Sequence, residues 1–343
     1  GEILGIVGHN GMGKTTLLRV LMGSLRVASG GIAFDGRAIE TWPAHRRSRC
    51  GIGHVPQGGF GFPALSVAES LRLADAAPTD RPRRSTAEVL AYHGARVLVG
   101  SRSAERGATA LARVRAAGFG PAPERIELDL SSLNSVRSAA ADIRDRTEDR
   151  LDLLINNGGI MAPPLGFSPD GLELQWATNV LGPAALSSLL LPAMQAVPGS
   201  RVVFVSSTRH SSARFDEARL RADVRGENYR GFDYYGRTKL ADLLLSHQLE
   251  RHFRQSGAET ISVAAHPGFS ATGIVDKGFA GLPRMLRPVA SWGARAFGQP
   301  VEIGALPILY AATAREVAGD DYFGPRGPGG LRGYPGHAAR SAQ

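Results

Sequence analysis

From residue 86 onward the chain alternates short apolar runs with amphipathic stretches, and this alternation limits its folds more than any other feature. The runs at 96–100, 125–130, 151–156, 201–206 and 260–265 read as buried strands. Between them, residues 104–117, 132–147, 171–196 and 234–255 carry apolar side chains at helical spacing. Strands that alternate with helices pair in parallel, and the crossing helices cover both faces of the sheet. The class is therefore α/β, a doubly wound parallel sheet over residues of about 86–343. Ligands of such sheets bind at the carboxyl ends of the strands.

The opening of the chain belongs to a different unit. An apolar run at 3–7 leads into Gly8-His9-Asn10-Gly11-Met12-Gly13-Lys14-Thr15, and a helical pattern follows from Leu17. A G-x4-G-K-[ST] stretch between strand and helix is a phosphate-binding loop. Backbone N–H groups around Gly8, Asn10, Gly11 and Gly13 can wrap a phosphate at the positive end of the helix. Lys14 is expected to reach the terminal phosphates, with Thr15 on magnesium and Thr16 beside it. Residues 78–85, Pro-Thr-Asp-Arg-Pro-Arg-Arg-Ser, are polar and read as a junction. The expected domains are thus 1–77, a partial P-loop α/β fragment, and 86–343, the alternating unit. The latter opens with a helix from Thr86 to Tyr92 that Gly94 ends.

Within the second unit, Tyr235-Gly236-Arg237-Thr238-Lys239 carries the chemistry. Residues four apart share one face of a helix, so the ammonium lies near the phenol. A neighbouring cation favours the phenolate and makes the tyrosine a usable general acid/base. The chain holds only three lysines, Lys14, Lys239 and Lys277, which makes a chance pairing with a tyrosine rare.

Composition removes several function classes. Net charge is +9, but the arginines are scattered with no long basic block, so no nucleic-acid partner is expected. Cys50 is the only cysteine, which excludes a disulfide framework and a cysteine-based zinc site. No apolar run is read as a membrane span, and Gly1 opens directly into a strand pattern with no signal peptide. A cytoplasmic protein is expected, with its N-terminal unit cut short at the start.

The first unit resembles ATP-binding cassette ATPases, in particular those of branched-chain amino acid or urea importers. Gly31-Ile32-Ala33-Phe34-Asp35-Gly36 is similar to their antiparallel hairpin. Gly51-Ile52-Gly53-His54-Val55-Pro56-Gln57 is similar to the strand leading to their Q-loop glutamine, Gln57. No L-S-G-G-Q signature follows, nor a strand ending in two carboxylates. The resemblance therefore implies ATP and magnesium binding at most, without hydrolysis and without contact to a transporter permease.

The second unit resembles short-chain dehydrogenases/reductases. Asn156-Asn157-Gly158-Gly159 is similar to their N-N-A-G motif, and Asn179 to their helix asparagine. Ser207 matches the catalytic serine, Tyr235 and Lys239 the Y-x3-K pair, and Pro267-Gly268 with Thr272 the loop that grips nicotinamide. The long gap between Ser207 and Tyr235, and the ending Tyr322-Phe323-Gly324-Pro325, are similar to enzymes of the retinol dehydrogenase or protochlorophyllide reductase type. The resemblance implies a Rossmann-like fold and hydride transfer between NADP(H) or NAD(H) and a small-molecule carbonyl or alcohol, with a homodimer as candidate assembly. It implies Asn179, Ser207, Tyr235 and Lys239 as catalytic. Asn157, Gly158, Tyr235, Lys239, Pro267, Gly268 and Thr272 would hold the cofactor. Arg102 would meet the 2′-phosphate of NADP and Asp129 the adenine.

One departure shapes the expectation of activity. The family opens with a strand and T-G-x3-G-x-G, which should fall near residues 75–83, and no glycine stands there. The chain reads as a fusion of two incomplete genes whose missing ends meet at the junction, giving an impaired reductase, an ATP-binding module or a non-functional product. With the family's strand order 3-2-1-4-5-6-7, losing the first strand leaves a slot between the second and fourth. Residues 2–7, or more weakly 71–74, could fill it. Alternatively the cassette fragment pairs with its own strands at 32–34 and 51–55 beside an open slot, the simpler arrangement.

Overall fold

A computed structural model describes residues 14–34, 36–49, 52, 85–117, 120–214, 216–269 and 299–340. The chain divides into two compact units, Gly1–Arg83 and Arg84–Gln343. In the first, helix α1 (Lys14–Leu21) is followed by a hairpin of β1 (Ala33–Phe34) and β2 (Arg37–Ala38), then α2 (Ala44–Arg49). The hairpin is antiparallel, with Phe34 opposite Arg37, and turns at Gly36 with φ of +71°. The buried Arg47 guanidinium donates to the carbonyls of Val20 (2.7 Å) and Leu21 (3.1 Å) at the end of α1, and to that of Glu40 (2.7 Å). It thereby satisfies carbonyls that a helix end leaves without partners. The expected strand at 3–7, the loop residues Gly8, Asn10, Gly11 and Gly13, Gln57, and the segments 2–7 and 71–74 lie outside the described residues.

The second unit is the expected doubly wound fold. Its elements run α3 (Thr86–Tyr92), β3 (Leu98–Ser101), α4 (Ala104–Ala117), β4 (Glu124–Glu127), α5 (Leu133–Arg146) and β5 (Leu153–Asn156). Then come α6 (Leu174–Gln195), β6 (Arg201–Val205), α7 (Glu217–Val224), α8 (Gly231–Ser256), β7 (Ile261–Ala265), α9 (Val301–Thr313), β8 (Tyr322–Pro325) and β9 (Pro335–His337). Strands β5, β6, β7 and β8 pair in parallel in that order, with Val203 opposite both Ile155 and Val263. Strand β9 closes the edge antiparallel. Buried on both faces, β6 reads as the continuous run Val202-Val203-Phe204-Val205. Val203 and Val205 pack with Ile308 and Ala311 of α9, whereas Val202 and Phe204 pack with Met194 of α6 and Phe253 of α8.

Strands β3 and β4 form a separate parallel pair. Among the described residues, β3 has no neighbour on its other side and β5 none on the side away from β6. Both free edges line one cleft of about 960 Å³, walled by Leu98, Val99, Gly100, Leu153, Ile155 and Asn156. Among the described residues this cleft separates β3 from β5, the two strands between which a slot was expected.

Helix α6 departs from the sequence reading in two ways. It is long and apolar enough, over Leu174–Gln195, to cross a membrane, a run that reading passed over. Just over half of that window is buried in the unit, where Leu186 and Leu190 pack against α5 and β4, as a core helix does. It is also not a regular helix. Residues Ala177–Leu181 form a π turn, one extra residue that an apolar-spacing pattern does not reveal.

Candidate active site

Helix α8 supplies the central pair. Its N-terminal half packs under the turn after β6, and buried Gly236 lets the helix approach: a Cβ there would stand 3.1 Å from the Arg209 carbonyl oxygen. Tyr235 is half-buried and Lys239 is buried. The Lys239 Nζ lies 5.9 Å from the centre of the Tyr235 ring. It donates to the Val205 carbonyl at the end of β6 (2.9 Å) and to Asp242 Oδ2 (2.8 Å). Burial alone depresses the ammonium. The Asp242 carboxylate and Tyr235 outweigh it, and the lysine ends above its ordinary value.

The other side chains come from strand ends. Ser206 and Ser207 follow β6. The Ser206 hydroxyl donates to the Lys239 carbonyl (2.7 Å), and Ser207 Oγ caps the 3₁₀ turn Thr208–Ser212. At the end of β5, Asn156 is structural, donating to Ser187 (2.9 Å), while Asn157 and Gly158 beyond it are exposed. Gly159 sits between two predicted residues. A Cβ there would lie 3.2 Å from Asn179 Oδ1 and 3.7 Å from Lys239 Nζ. The π turn carries Asn179, whose Oδ1 accepts from the Ile160 amide (2.8 Å). Its Nδ2 donates to the Ile160 carbonyl (2.9 Å) and to Thr238 (3.1 Å). Its side chain is thus committed as a brace between the β5 loop and α8.

Pro267 and Gly268 follow β7. Gly268 has φ of +66°, which favours glycine. Gln299, invisible to motif reading at 32 residues' distance, donates to the Pro267 carbonyl (2.5 Å) and accepts from the Gly333 amide (3.1 Å), so it ties this loop to the C-terminal segment. Thr272 lies outside the described residues. At the far end, Arg102 is exposed and stands 3.6 Å from Asp129, whose Oδ1 accepts from the Ser131 amide (3.0 Å) and hydroxyl (2.7 Å). A pocket of about 320 Å³ gathers Asn157, Gly159, Ser206, Tyr235, Lys239 and Pro267, together with Thr86 of α3. Of the predicted catalytic set, Ser207 and Asn179 are not on its wall.

Behind the serines lies a buried cluster that motif reading missed. The His210 Nδ1–H donates to the Ser207 carbonyl (2.7 Å), and Tyr322 OH stands 3.3 Å from the same nitrogen. The rings of His210 and His266 contact Tyr322 from two sides. Burial, with His210 nearby, pulls His266 down to about 4, and burial also lowers His210, so both imidazoles are neutral at pH 7.

In the first unit, Lys14, Thr15 and Thr16 occupy the first turn of α1, and Thr16 is exposed.

The family model described as short chain dehydrogenase matches residues 84–217. Human retinol dehydrogenase 14 is 36% identical over 261 residues, covering 70% of this chain and 74% of that protein. The chain belongs to the short-chain dehydrogenase family. Mouse polyprenol dehydrogenase is a further relative of this short-chain dehydrogenase, 35% identical over 241 residues and 69% of each chain. Among solved structures, an uncharacterized protein from Mycobacterium paratuberculosis is 35% identical, with a TM-score of 0.56 over 75% of this chain and 80% of that one. A Burkholderia xenovorans short-chain dehydrogenase/reductase, at 21% identity and a TM-score of 0.54 over 69% and 86%, shares the fold. The family model described as ABC transporter matches residues 1–134, so the two matches overlap over 84–134. In the short-chain dehydrogenase those residues belong to the second compact unit, where β3 and β4 pair and Ile126 packs with α5 and α6.

Proposed function

We propose that the chain is an NADP(H)-linked oxidoreductase acting on a small-molecule carbonyl or alcohol, with Tyr235 as its general acid/base. The observation that carries this is the single pocket holding Asn157, Gly159, Tyr235, Lys239 and Pro267. These residues fit the nicotinamide–ribose half of a dinucleotide: Gly159 leaves room beside Lys239, and the glycine after Pro267 permits a tight loop. When bound, the nicotinamide would supply or accept the hydride. Tyr235 would pass its proton to the substrate oxygen, and Ser207 would donate a second hydrogen bond to that oxygen. Lys239 would keep the phenol acidic and offer its remaining N–H to the ribose. Asn179 would hold the β5 loop and α8 at fixed spacing. Arg102, largely exposed beside Asp129, is free to turn toward a 2′-phosphate and favours NADP(H) over NAD(H).

The pyrophosphate half fits poorly. Residues 75–83 contain no glycine. The first turn of α3, where a dinucleotide fold seats its phosphates, is closed by its own side chains: Ser85 Oγ accepts from the Glu88 amide, and the Glu88 carboxylate accepts from the Ser85 amide. Loss of two charge-assisted hydrogen bonds, at roughly 1.5–3 kcal/mol each, weakens cofactor binding by about 10²-fold or more. NADPH oxidation followed by absorbance with a panel of aldehydes, ketones and quinones tests the reading. Turnover with at least one carbonyl is expected, and none at any NADPH concentration would overturn it.

A second reading concerns the first unit and rests on its match to the ABC transporter model. Lys14, Thr15 and Thr16, with the preceding glycines, would bind ATP and magnesium without hydrolysing it. A fluorescent ATP analogue reports on this directly.

A further inference from the structure

Three buried groups on or behind α8 are not used by the chemistry above: Asp242, the His210–Tyr322–His266 cluster, and the Asp223–Arg237 pair. Asp242 has the most direct route to the reacting proton. It is 3% exposed, one turn beyond Lys239 on the same face of the helix, and its Oδ2 receives the lysine ammonium at 2.8 Å. A fully buried amine without a counter-ion sheds its proton, because burial disfavours the charged form. Here two of the three ammonium N–H bonds are taken, one by Val205 and one by Asp242, and the third remains for Tyr235 and the cofactor side.

We propose that Asp242 is the buried counter-ion that fixes Lys239 beneath Tyr235 and keeps it charged, so that it acts as a positioning residue for the tyrosine's proton transfer. The proposal rests on Tyr235 being the general acid/base. The groups facing Asp242 agree with this role. From its own helix come Lys239 and, beyond it, Tyr235. From β8 comes Tyr322, whose phenol is pushed up chiefly by burial and also by the Asp242 charge. His210 and His266 reach the ring of Tyr322 as neutral imidazoles, and Arg340 offsets part of the negative charge there. Lys239 is the one cation in direct contact with Asp242 among the described residues. Burial, against the pull of Lys239, raises the Asp242 carboxyl to about 6, which leaves it ionised at pH 7 and the pair charged.

The test uses the full chain and two readouts. The first needs no activity. With only three lysines in the sequence, ¹³C-labelled lysine gives three resolvable titrations. In the wild type Lys239 should titrate above Lys14 and Lys277. In Asp242→Asn it should titrate below both, since burial is then opposed by Tyr235 alone. The second is the pH profile of alcohol oxidation. That profile should change in Asp242→Asn, with KM for the alcohol little changed. An unchanged Lys239 titration in the variant overturns the proposal, as does an unmoved profile. A wild type with no turnover speaks against the proposed function alone and leaves the lysine titration standing. If Asp242→Asn fails to fold, Asp242→Glu carries the test. It keeps a carboxylate and should hold Lys239 above the other two lysines, and a Lys239 that titrates below them in that variant also overturns the proposal.

Discussion

Replacing Asp223 should unfasten the segment between β6 and α8 from the helix that carries Tyr235. Asp223, on α7, is fully buried and receives Arg237 through two contacts, one of them at 3.0 Å, and Arg219 at 2.9 Å. Arg237 lies two residues from Tyr235 on α8, is 9% exposed, and stacks 4.9 Å over the Tyr234 ring. Arg219 is partly exposed and can turn to solvent, whereas Arg237 cannot. Asp223→Ala therefore leaves one buried guanidinium without its anion, at a cost of about 3–5 kcal/mol. Against a total stability of roughly 5–15 kcal/mol, that is a large share. Removing both charges, as Asp223→Leu with Arg237→Met, should cost only about 1–2 kcal/mol, mostly the lost cation–π contact. Urea unfolding followed by tryptophan fluorescence, to which Trp176 in the same cluster as Tyr234 contributes, measures each variant. A single variant costing under about 1 kcal/mol, or a double variant costing the sum of the two singles, would refute the reasoning.

Other outcomes follow from the site and its buried charges. Ser207→Ala should slow carbonyl reduction by on the order of 2–4 kcal/mol in barrier, since it removes one positioned donor, and steady-state kcat/KM checks this. Arg102→Ala should weaken NADPH more than NADH in calorimetry, because only NADPH carries the 2′-phosphate. The Asp242 carboxyl, raised from 3.8 to about 6, holds its proton in the fold to higher pH than in the unfolded chain. Its contribution is therefore complete below pH 3.8 and lost as pH rises through about 6. Urea midpoints measured across that range should fall with pH more steeply in the wild type than in Asp242→Asn, and parallel curves would show that Asp242 does not titrate there. Lys14→Ala should abolish binding of a fluorescent ATP analogue and leave carbonyl reduction unchanged.

The sheet was legible because burial on both faces writes strands such as Val202–Val205 as unbroken apolar runs that no helix of this length would need. Tyr235 and Lys239 were legible because a four-residue spacing on a helix is local information. What escaped was set by contacts between distant residues. In sequence Asp242 is only a carboxylate three positions after Lys239, and no motif singles it out. Only the fold shows that both are buried and that the pair ends on the Val205 carbonyl. Arg237 and Asp223 are 14 residues apart, and Gln299 is 32 residues from the Pro267 carbonyl it holds. The π turn at Ala177–Leu181 adds one residue to a helix whose apolar pattern survives the insertion, so its spacing reads as regular. The absence of glycine at 75–83 was legible in the sequence, and among the described residues a cleft separates β3 from β5.

The central claim is that Tyr235 transfers the proton in a hydride exchange at the pocket it shares with Lys239. Single-turnover NADPH oxidation with a carbonyl found active in the panel, at cofactor concentrations shown by calorimetry to load the site, compares the wild type with Tyr235→Phe most directly. The account predicts a measurable transient in the wild type, its loss in Tyr235→Phe, and unchanged NADPH binding and circular dichroism in the variant. A transient of equal rate in Tyr235→Phe would contradict it.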